Sequence, residues 1–252
     1  MRSNAMLVGL FSMGVVAAVP AAELIHVRYN ERPPYQVTAA DGKVGGTVGR
    51  LAIQAFADAG IGFDVIQTPI NRQIAILQEN REMTCMMGWL SNPERRRIGK
   101  LTQPLAAGSL QGAITRADNE QMKDGVTVRE ILRNRSLRLL VKEHYFYGGA
   151  LATAILRDPP PTVHTSAESG NMLQMLLHGR ADYIFMAEEE AMSVIATPGS
   201  GLRPEQFRYV HFADIKDRFD RHLWCSRRVP DAVIERLNTA IERRQKMHGG
   251  AP

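Results

Sequence analysis

The chain has 252 residues, of which 44% are hydrophobic and 23% charged, and this composition is that of a globular protein rather than a disordered or fibrous one. The length allows one large domain or two smaller lobes. The formal net charge of +5 is a mild excess. It would favour small anionic ligands if it were concentrated in a cleft. Basic residues are not interleaved with aromatic ones in any run, which argues against nucleic acid as a partner.

Residues 6–22 form an apolar run that ends in small side chains. This pattern is typical of the hydrophobic region and cleavage site of a secretory signal peptide, so we predict that residues 1–22 are removed on export. A single membrane anchor is the alternative, but the run is short for a membrane span.

Short strands alternate with amphipathic helices in the first ninety residues. Residues 23–29 and 63–67 predict strands, and the apolar positions of 48–59 have the spacing of one helical face. Thr68-Pro69 is a helix-start signal, and it places Arg72 on the first turn of that helix. Between the first strand and the first helix, Pro33-Pro34-Tyr35 forms a loop, because the prolines fix the backbone and remove donors.

The apolar run 83–90 predicts a buried strand that ends in Gly88-Trp89-Leu90. A polar turn with Asn92 follows, and then a basic cluster that begins at Arg95. Ligands of open α/β sheets bind beyond the carboxyl ends of the strands. Arg95 is therefore well placed to hold a carboxylate through its planar, bidentate guanidinium.

In the second half, strands are predicted at 109–115, 136–141, 162–164, 209–212 and 222–226, and helices are predicted to start near 150, 169 and 230. The turn before residue 150 carries Tyr145 and Tyr147, and its backbone N–H groups could face an anion. We expect the acidic run 188–190 to be solvated at a helix start.

These motifs, in this order, resemble the periplasmic solute-binding proteins of the amino-acid type (bacterial family 3). The Pro33-Pro34-Tyr35 loop, Arg95 with residues 101–105, and the Gly-Arg-Ala-Asp turn at 179–182 each match a motif of that family. The resemblance implies an α/β fold of the two-lobed, type II periplasmic binding protein class, with a cleft between two mostly parallel sheets flanked by helices. Lobe 1 would comprise residues 23–110 and 222–252, and lobe 2 residues 111–221.

The resemblance also implies a ligand-binding site. Arg95 would hold the ligand's carboxylate, Asn92 would replace the family's threonine, and the aromatic contacts would be Tyr35, Trp89, Tyr145 and Tyr147. For Tyr35 the alternative is a loop tyrosine that caps the edge of the core. Arg72 is a second candidate for an anion contact, and its alternative is a solvated helix arginine.

One departure from the family's pattern limits what the resemblance implies. Amino-acid binders carry a second aspartate that pairs with the ligand's ammonium group, and Ala187 stands at that position here. Glu188, Glu189 or Glu190 could take its place, but a shifted acid is not equivalent, and the departure argues against an ordinary α-amino acid as the ligand. Cys85 and Cys225 are both in apolar runs, and they form either a disulfide or two buried thiols.

We therefore expect a monomeric periplasmic receptor that binds a small, carboxylate-bearing solute by hinge closure, without a cofactor or metal. Its partner would be the membrane component of an ABC-type transporter or a sensor. A sensory receptor without a transporter is one alternative. The other is an enzyme on the same scaffold, such as a dehydratase, although the sequence has neither a zinc-binding His pair nor a nucleophile elbow.

Overall fold

The structure is a computed structural model that describes residues 24–216 and 218–249. The predicted signal peptide lies outside the described residues. Among the helices of the described part, none is long and apolar enough to cross a membrane.

The first lobe is built from short strands and four helices. Its strands are β1 (Ile25–Tyr29), β2 (Val37–Thr38), β3 (Val44–Gly45), β4 (Phe63–Gln67), β5 (Thr84–Leu90) and β6 (Lys100–Leu101). Its helices are α1 (Thr47–Asp58), α2 (Ile70–Glu79), α3 (Pro93–Ile98) and the last helix of the chain, Asp231–Gly249.

The second lobe begins within β7 (Ala106–Arg116), the longest strand described. Its other elements are α4 (Val128–Arg133), β8 (Leu139–Lys142), α5 (Gly149–Arg157), β9 (Thr162–Thr165), α6 (Ser169–Leu177), β10 (Tyr183–Ala187), α7 (Glu188–Ile195), a short 3₁₀ helix (Pro204–Gln206) and β11 (Phe207–Val210). The chain then returns through β12 (Arg218–Cys225) to the last helix, α8.

The main strands follow the order β4-β1-β5-β12-β7-β10-β8-β9. The outer pairs of each lobe are parallel, as strand–helix–strand crossovers require, whereas the central pairs β5/β12, β12/β7 and β7/β10 are antiparallel. The two strands β7 and β12 link the lobes. β7 pairs with β12 through Leu110 and with β10 from Gln111 onward.

Hydrophobic clusters cover both faces of each half of the sheet. In lobe 1, α1 and α8 cover one face of the sheet. The other face is covered by α2, whose Leu77 packs in one cluster with Met86 of β5 and Trp224 of β12. Every residue of β5 except its last is buried, which explains why its sequence is apolar without alternation. Two-sided burial also holds for β10 in lobe 2.

The α/β class and the two-lobed architecture predicted above are confirmed. The strands and helices predicted from periodicity are present, with shifts of a few residues at their ends. The sequence did not predict α3, because its six residues are too short for a helical period and read only as a polar turn with a basic cluster.

Candidate ligand-binding cleft

The position of Arg95 is set by the turn that follows β5. Asn92 caps α3 by accepting the Arg95 backbone N–H at 2.7 Å, and Pro93 opens the helix, where its missing N–H costs nothing. The guanidinium turns back toward the strand end. It donates to the backbone oxygen of Leu90 at 2.7 Å and to that of His144, in lobe 2, at 3.4 Å. Arg95 thus lies in the cleft and touches both lobes.

The charge of Arg95 has no acidic partner. Its Cζ lies 4.5 Å from the centre of the Trp89 ring, its exposed fraction is 8%, and among the described residues no carboxylate forms an ion pair with it. Burial, followed by the positive charge of Arg32, lowers the pKa of Arg95 to about 10, so the group stays charged at neutral pH. A buried cation without a counter-ion is costly. An anion bound here would remove that cost.

A small cavity of about 40 Å³ adjoins Arg95. Its walls come from three segments: residues 30–36 after β1, the end of β5 with α3, and residues 144–146 of lobe 2. A wider groove of about 510 Å³ shares Trp89, Arg95 and residues 144–146 with it and extends along α2 to Trp224. The groove has the volume of a small-molecule site. The cavity by itself is too small for a solute, so a ligand that reaches it would also occupy the adjoining groove.

Two polar groups in the cavity wall have no hydrogen-bond partner. They are the side-chain Nε2 of Gln36, a residue only 3% exposed, and the hydroxyl of Tyr145. Gln36 lies directly against Gly88, whose φ is +76°, and a Cβ at that glycine would be 2.0 Å from Nε2. Buried donors are rarely left unpaired in native proteins. Both groups could therefore donate to a ligand.

An ion pair joins the two lobes beside this cavity. Nε and Nη2 of Arg32, on the loop after β1, each donate to a carboxylate oxygen of Glu190 on α7 at 2.8 Å. Glu190 is 1% exposed, and the Arg32 guanidinium lies 4.6 Å from the centre of the Tyr145 ring. The bidentate geometry is the strong form of an arginine–carboxylate contact. The expectation that the acidic run 188–190 is solvated is therefore wrong for its last residue.

Further cations surround Glu190. Arg221, on β12, is 6% exposed, stacks at 3.5 Å over the Tyr35 ring, and donates to the Gly88 backbone oxygen at 3.3 Å. Burial, and then the charge of Arg32, lower the pKa of Arg221. Lys142 is 2% exposed and pairs with Glu168 at 2.9 Å. The interior of the cleft is therefore strongly positive.

The structure brings most of the predicted site residues together. Arg95, Trp89 and Tyr145 line both the cavity and the groove, and Asn92 lines the groove while capping α3. The Trp89 indole donates to the buried side chain of Gln73 at 3.0 Å, which fixes the ring under Arg95.

The other three predicted residues lie elsewhere. Tyr35 is buried in the lobe 1 core, and its hydroxyl donates to Glu189 of lobe 2 at 3.0 Å, so it contacts the opposite lobe rather than the cavity. Tyr147 is in the lobe 2 core and accepts the Lys142 backbone N–H at 2.9 Å. The side chain of Arg72 is 60% exposed and pairs with Glu79 at 3.6 Å.

Sequence reasoning missed Arg32, Gln36 and Arg221, and it named Glu190 only as one member of the acidic run 188–190. The Pro33-Pro34-Tyr35 motif is recognisable in the sequence. The residues that reach the cleft, Arg32 and Gln36, lie immediately before and after it. Arg32 and Glu190 are 158 residues apart in the chain, and no local pattern marks such a pair.

The two cysteines form a disulfide. Cys85 and Cys225 lie opposite each other on the antiparallel strands β5 and β12, and their sulfur atoms are 2.02 Å apart. In the described part of the chain, no group of three His, Cys, Asp or Glu side chains could hold a metal ion.

No family model matches the chain, and no curated protein sequence is similar to it. Its fold is similar to that of several solved structures. An ancestral arginine-binding protein bound to arginine aligns over 90% of this chain and 94% of its own, with a TM-score of 0.69 and 15% identity. The substrate binding protein of an amino acid ABC transporter aligns over 90% and 94%, with a TM-score of 0.67 and 13% identity.

A third similar structure is that of the ancestral amino acid-binding protein AncCDT-1, a precursor of cyclohexadienyl dehydratase. It aligns over 90% of this chain and 91% of its own, with a TM-score of 0.66 and 15% identity. The chain thus has the fold of amino-acid-type solute-binding proteins, as its motifs predicted. At this level of identity the ligands of those proteins do not carry over to it.

Proposed function

We propose that the chain is an exported receptor that closes its two lobes around a small, carboxylate-bearing solute and delivers it to an ABC-type uptake system. The observation that carries this proposal is Arg95. It is a buried guanidinium at a strand end, lies between the lobes, and has no acidic partner among the described residues. A ligand carboxylate at Arg95 would form charge-assisted hydrogen bonds in a site shielded from water.

Closure is hinge motion about β7 and β12, the two strands that link the lobes. A ligand held by Arg95 reaches the lobe 2 segment 144–146 only when the lobes are together, so it stabilises the closed form. A transporter that recognises the closed form would then receive the loaded receptor. A sensor could recognise the same form, and the similarity of the fold to a transporter's binding protein favours transport.

An enzyme on this scaffold is less well supported. One route to general acid catalysis is a protonated carboxyl group in the cleft. The one buried carboxylate among the described cleft residues is Glu190. Burial raises the pKa of Glu190, but the charge and hydrogen bonding of Arg32, together with the charges of Arg221 and Lys142, lower it by more, so the net shift is downward. The group is ionised at neutral pH and engaged by Arg32.

The test is thermal unfolding of the chain, without its signal peptide, against a set of small carboxylates, amines and sugars. A ligand at a hundred times its Kd adds about 2.7 kcal/mol, which raises Tm by roughly 5–10 °C for a chain of this size. Arg95→Met keeps the apolar stem on Trp89 and removes the charge. Arg97→Met is the matched control, because Arg97 is an exposed arginine on the same helix.

A carboxylate that stabilises the wild type and the Arg97 variant, but not the Arg95 variant, would support the proposal. Equal stabilisation of all three proteins, or no stabilisation by any carboxylate, would contradict it. Recovery of the bound compound unchanged after incubation would argue further against an enzyme.

A further inference from the structure

Three side chains that line the cleft cavity can donate hydrogen bonds to a ligand. Gln36 Nε2 and the Tyr145 hydroxyl are unpaired, and Arg95 uses its guanidinium on two backbone oxygens only. All three groups line the same cavity. A ligand with one carboxylate could satisfy Arg95, but the other two donors would still lack an acceptor. The cavity is therefore built for a ligand with acceptors at two places.

The charges around the cavity indicate what the second acceptor is. Arg32 is paired with Glu190, and Lys142 with Glu168. Arg95 and Arg221 are both buried, and neither forms an ion pair with a carboxylate among the described residues. Two buried guanidinium groups thus lack an ion-pair partner: Arg95 lines the cavity, and Arg221 lies behind its wall, where it donates to the backbone oxygen of the lining residue Gly88. A ligand with two negative charges would balance them, whereas one with a single negative charge would leave one uncompensated.

A ligand ammonium group has no carboxylate partner among the described residues that line the cavity. The buried carboxylate of Glu190 already accepts two hydrogen bonds from Arg32 and lies in the field of Arg221 and Lys142. An ammonium group in the cavity would face guanidinium groups and unpaired donors. This arrangement disfavours α-amino acids, the ligands named for the structures of similar fold.

We propose that the ligand is a small dicarboxylate without an amino group. One carboxylate binds Arg95, and the other accepts from Gln36 Nε2 and the Tyr145 hydroxyl beside Arg32. This inference rests on the proposed function, because it assigns the ligand class of the same site.

The test is calorimetric titration with matched probes of three to five carbons. Each dicarboxylate, from malonate to glutarate, is compared with the monocarboxylate and the ω-amino acid of the same length. We expect one dicarboxylate to bind at least ten times more tightly than both of its matched probes. Arg95-dependent binding of a monocarboxylate or an amino acid with equal or higher affinity would overturn the dicarboxylate assignment and leave the receptor function standing. No binding of any carboxylate would overturn both.

Variants assign the second subsite. Tyr145→Phe removes the unpaired hydroxyl and keeps the ring under Arg32, and Gln36→Glu replaces a donor by a negative charge of nearly the same shape. A hydrogen bond to a charged group predicts about a tenfold loss of dicarboxylate affinity for Tyr145→Phe, with little change for the monocarboxylate. We expect a larger loss for Gln36→Glu, because it adds like-charge repulsion.

Tyr183→Phe is the matched control. Tyr183 also carries a buried hydroxyl without a partner, but it lies in the core of lobe 2 and not in the cavity wall. We expect unchanged affinity in this variant. Equal effects of the Tyr145 and Tyr183 changes, or equal losses for dicarboxylate and monocarboxylate, would overturn the assignment of the second subsite. Melting temperatures close to the wild-type value would exclude misfolding as the cause.

Discussion

The ion pair between Arg32 and Glu190 is predicted to hold the cleft closed in the absence of ligand. Its two hydrogen bonds join a loop of lobe 1 to a helix of lobe 2, and Glu190 is almost completely buried. Glu190→Gln removes the negative charge and keeps the shape. In the closed form, the variant would leave Arg32 buried beside Arg221 and Lys142 with no counter-ion. When the lobes separate, water solvates Arg32, so the change favours the open form.

The magnitude follows from the burial of the pair. Removing one partner of a buried ion pair costs about 3–5 kcal/mol. We take the lower end, about 3 kcal/mol, because the Arg32 side chain retains 20% of its exposure. At about 1.4 kcal/mol per tenfold change, the ratio of closed to open molecules would fall roughly 150-fold.

Small-angle X-ray scattering of the ligand-free protein measures this change as a larger radius of gyration in Glu190→Gln. The control is Glu82→Gln, which breaks the 2.8 Å pair with Arg28 inside lobe 1 and should leave the radius unchanged. Arg32→Met with Glu190→Leu replaces both charges by apolar groups, and we expect it to return toward the closed form. Identical scattering from the wild type and Glu190→Gln would refute the reasoning.

Acid should have the same effect as the Glu190→Gln change. Burial alone would raise the pKa of Glu190, but Arg32, Arg221 and Lys142 together lower it below the ordinary value of a glutamate. A group whose pKa is lowered in the folded state contributes its stabilisation above its unfolded pKa of about 4.3 and loses it as the pH falls through the folded value. The radius of gyration should therefore be constant from neutral pH to about pH 5 and rise only below about pH 4.

Two further predictions concern the strand that carries the site. Replacing Cys85 and Cys225 by alanine should lower the free energy of unfolding by about 2–5 kcal/mol, because the bond closes a chain segment of 140 residues; an unchanged urea midpoint would contradict this. Gly88→Ala should displace Gln36 and weaken dicarboxylate binding, since its Cβ would lie 2.0 Å from Nε2 at a positive φ. Gly149→Ala, where a Cβ meets nothing within 4 Å, is the control, and equal affinities of the two variants would count against a role for Gly88.

The fold could be predicted from the sequence because its signals are local. The apolar run of β5 and the helical spacing of α1 each reflect burial against a neighbouring layer, and burial leaves a periodic pattern. Arg95 could also be predicted, because it follows directly from a strand end and a capping side chain. The partners of the cleft could not be predicted in this way. Arg32 and Glu190 meet only because the lobes close, and their separation in sequence carries no period.

The role of Gln36 could not be predicted from the sequence either, but for a different reason. A glutamine next to a tyrosine in a loop has no distinguishing pattern, and its importance comes from the missing hydrogen-bond partner at Nε2. The glycine that makes room for it, Gly88, lies in another strand and reads as an ordinary interruption of an apolar run. Only the packed structure shows that the Gln36 side chain occupies the space that a Cβ at residue 88 would fill.

The same charges serve both closure and recognition, and this couples the two. Burial lowers the pKa values of Arg95 and Arg221, and repulsion from the charge of Arg32 lowers both further. Glu190 offsets part of that repulsion, and an anionic ligand would offset the rest. Such a ligand binds the closed form more tightly than the open form, because closure brings the lobe 2 segment 144–146 onto the site and excludes the water that screens the cations of lobe 1. By linkage, it must shift the population toward the closed form by the same factor. A ligand without negative charge does not offset the repulsion between the cleft arginines. We therefore expect it to favour the closed form only weakly, whatever its size.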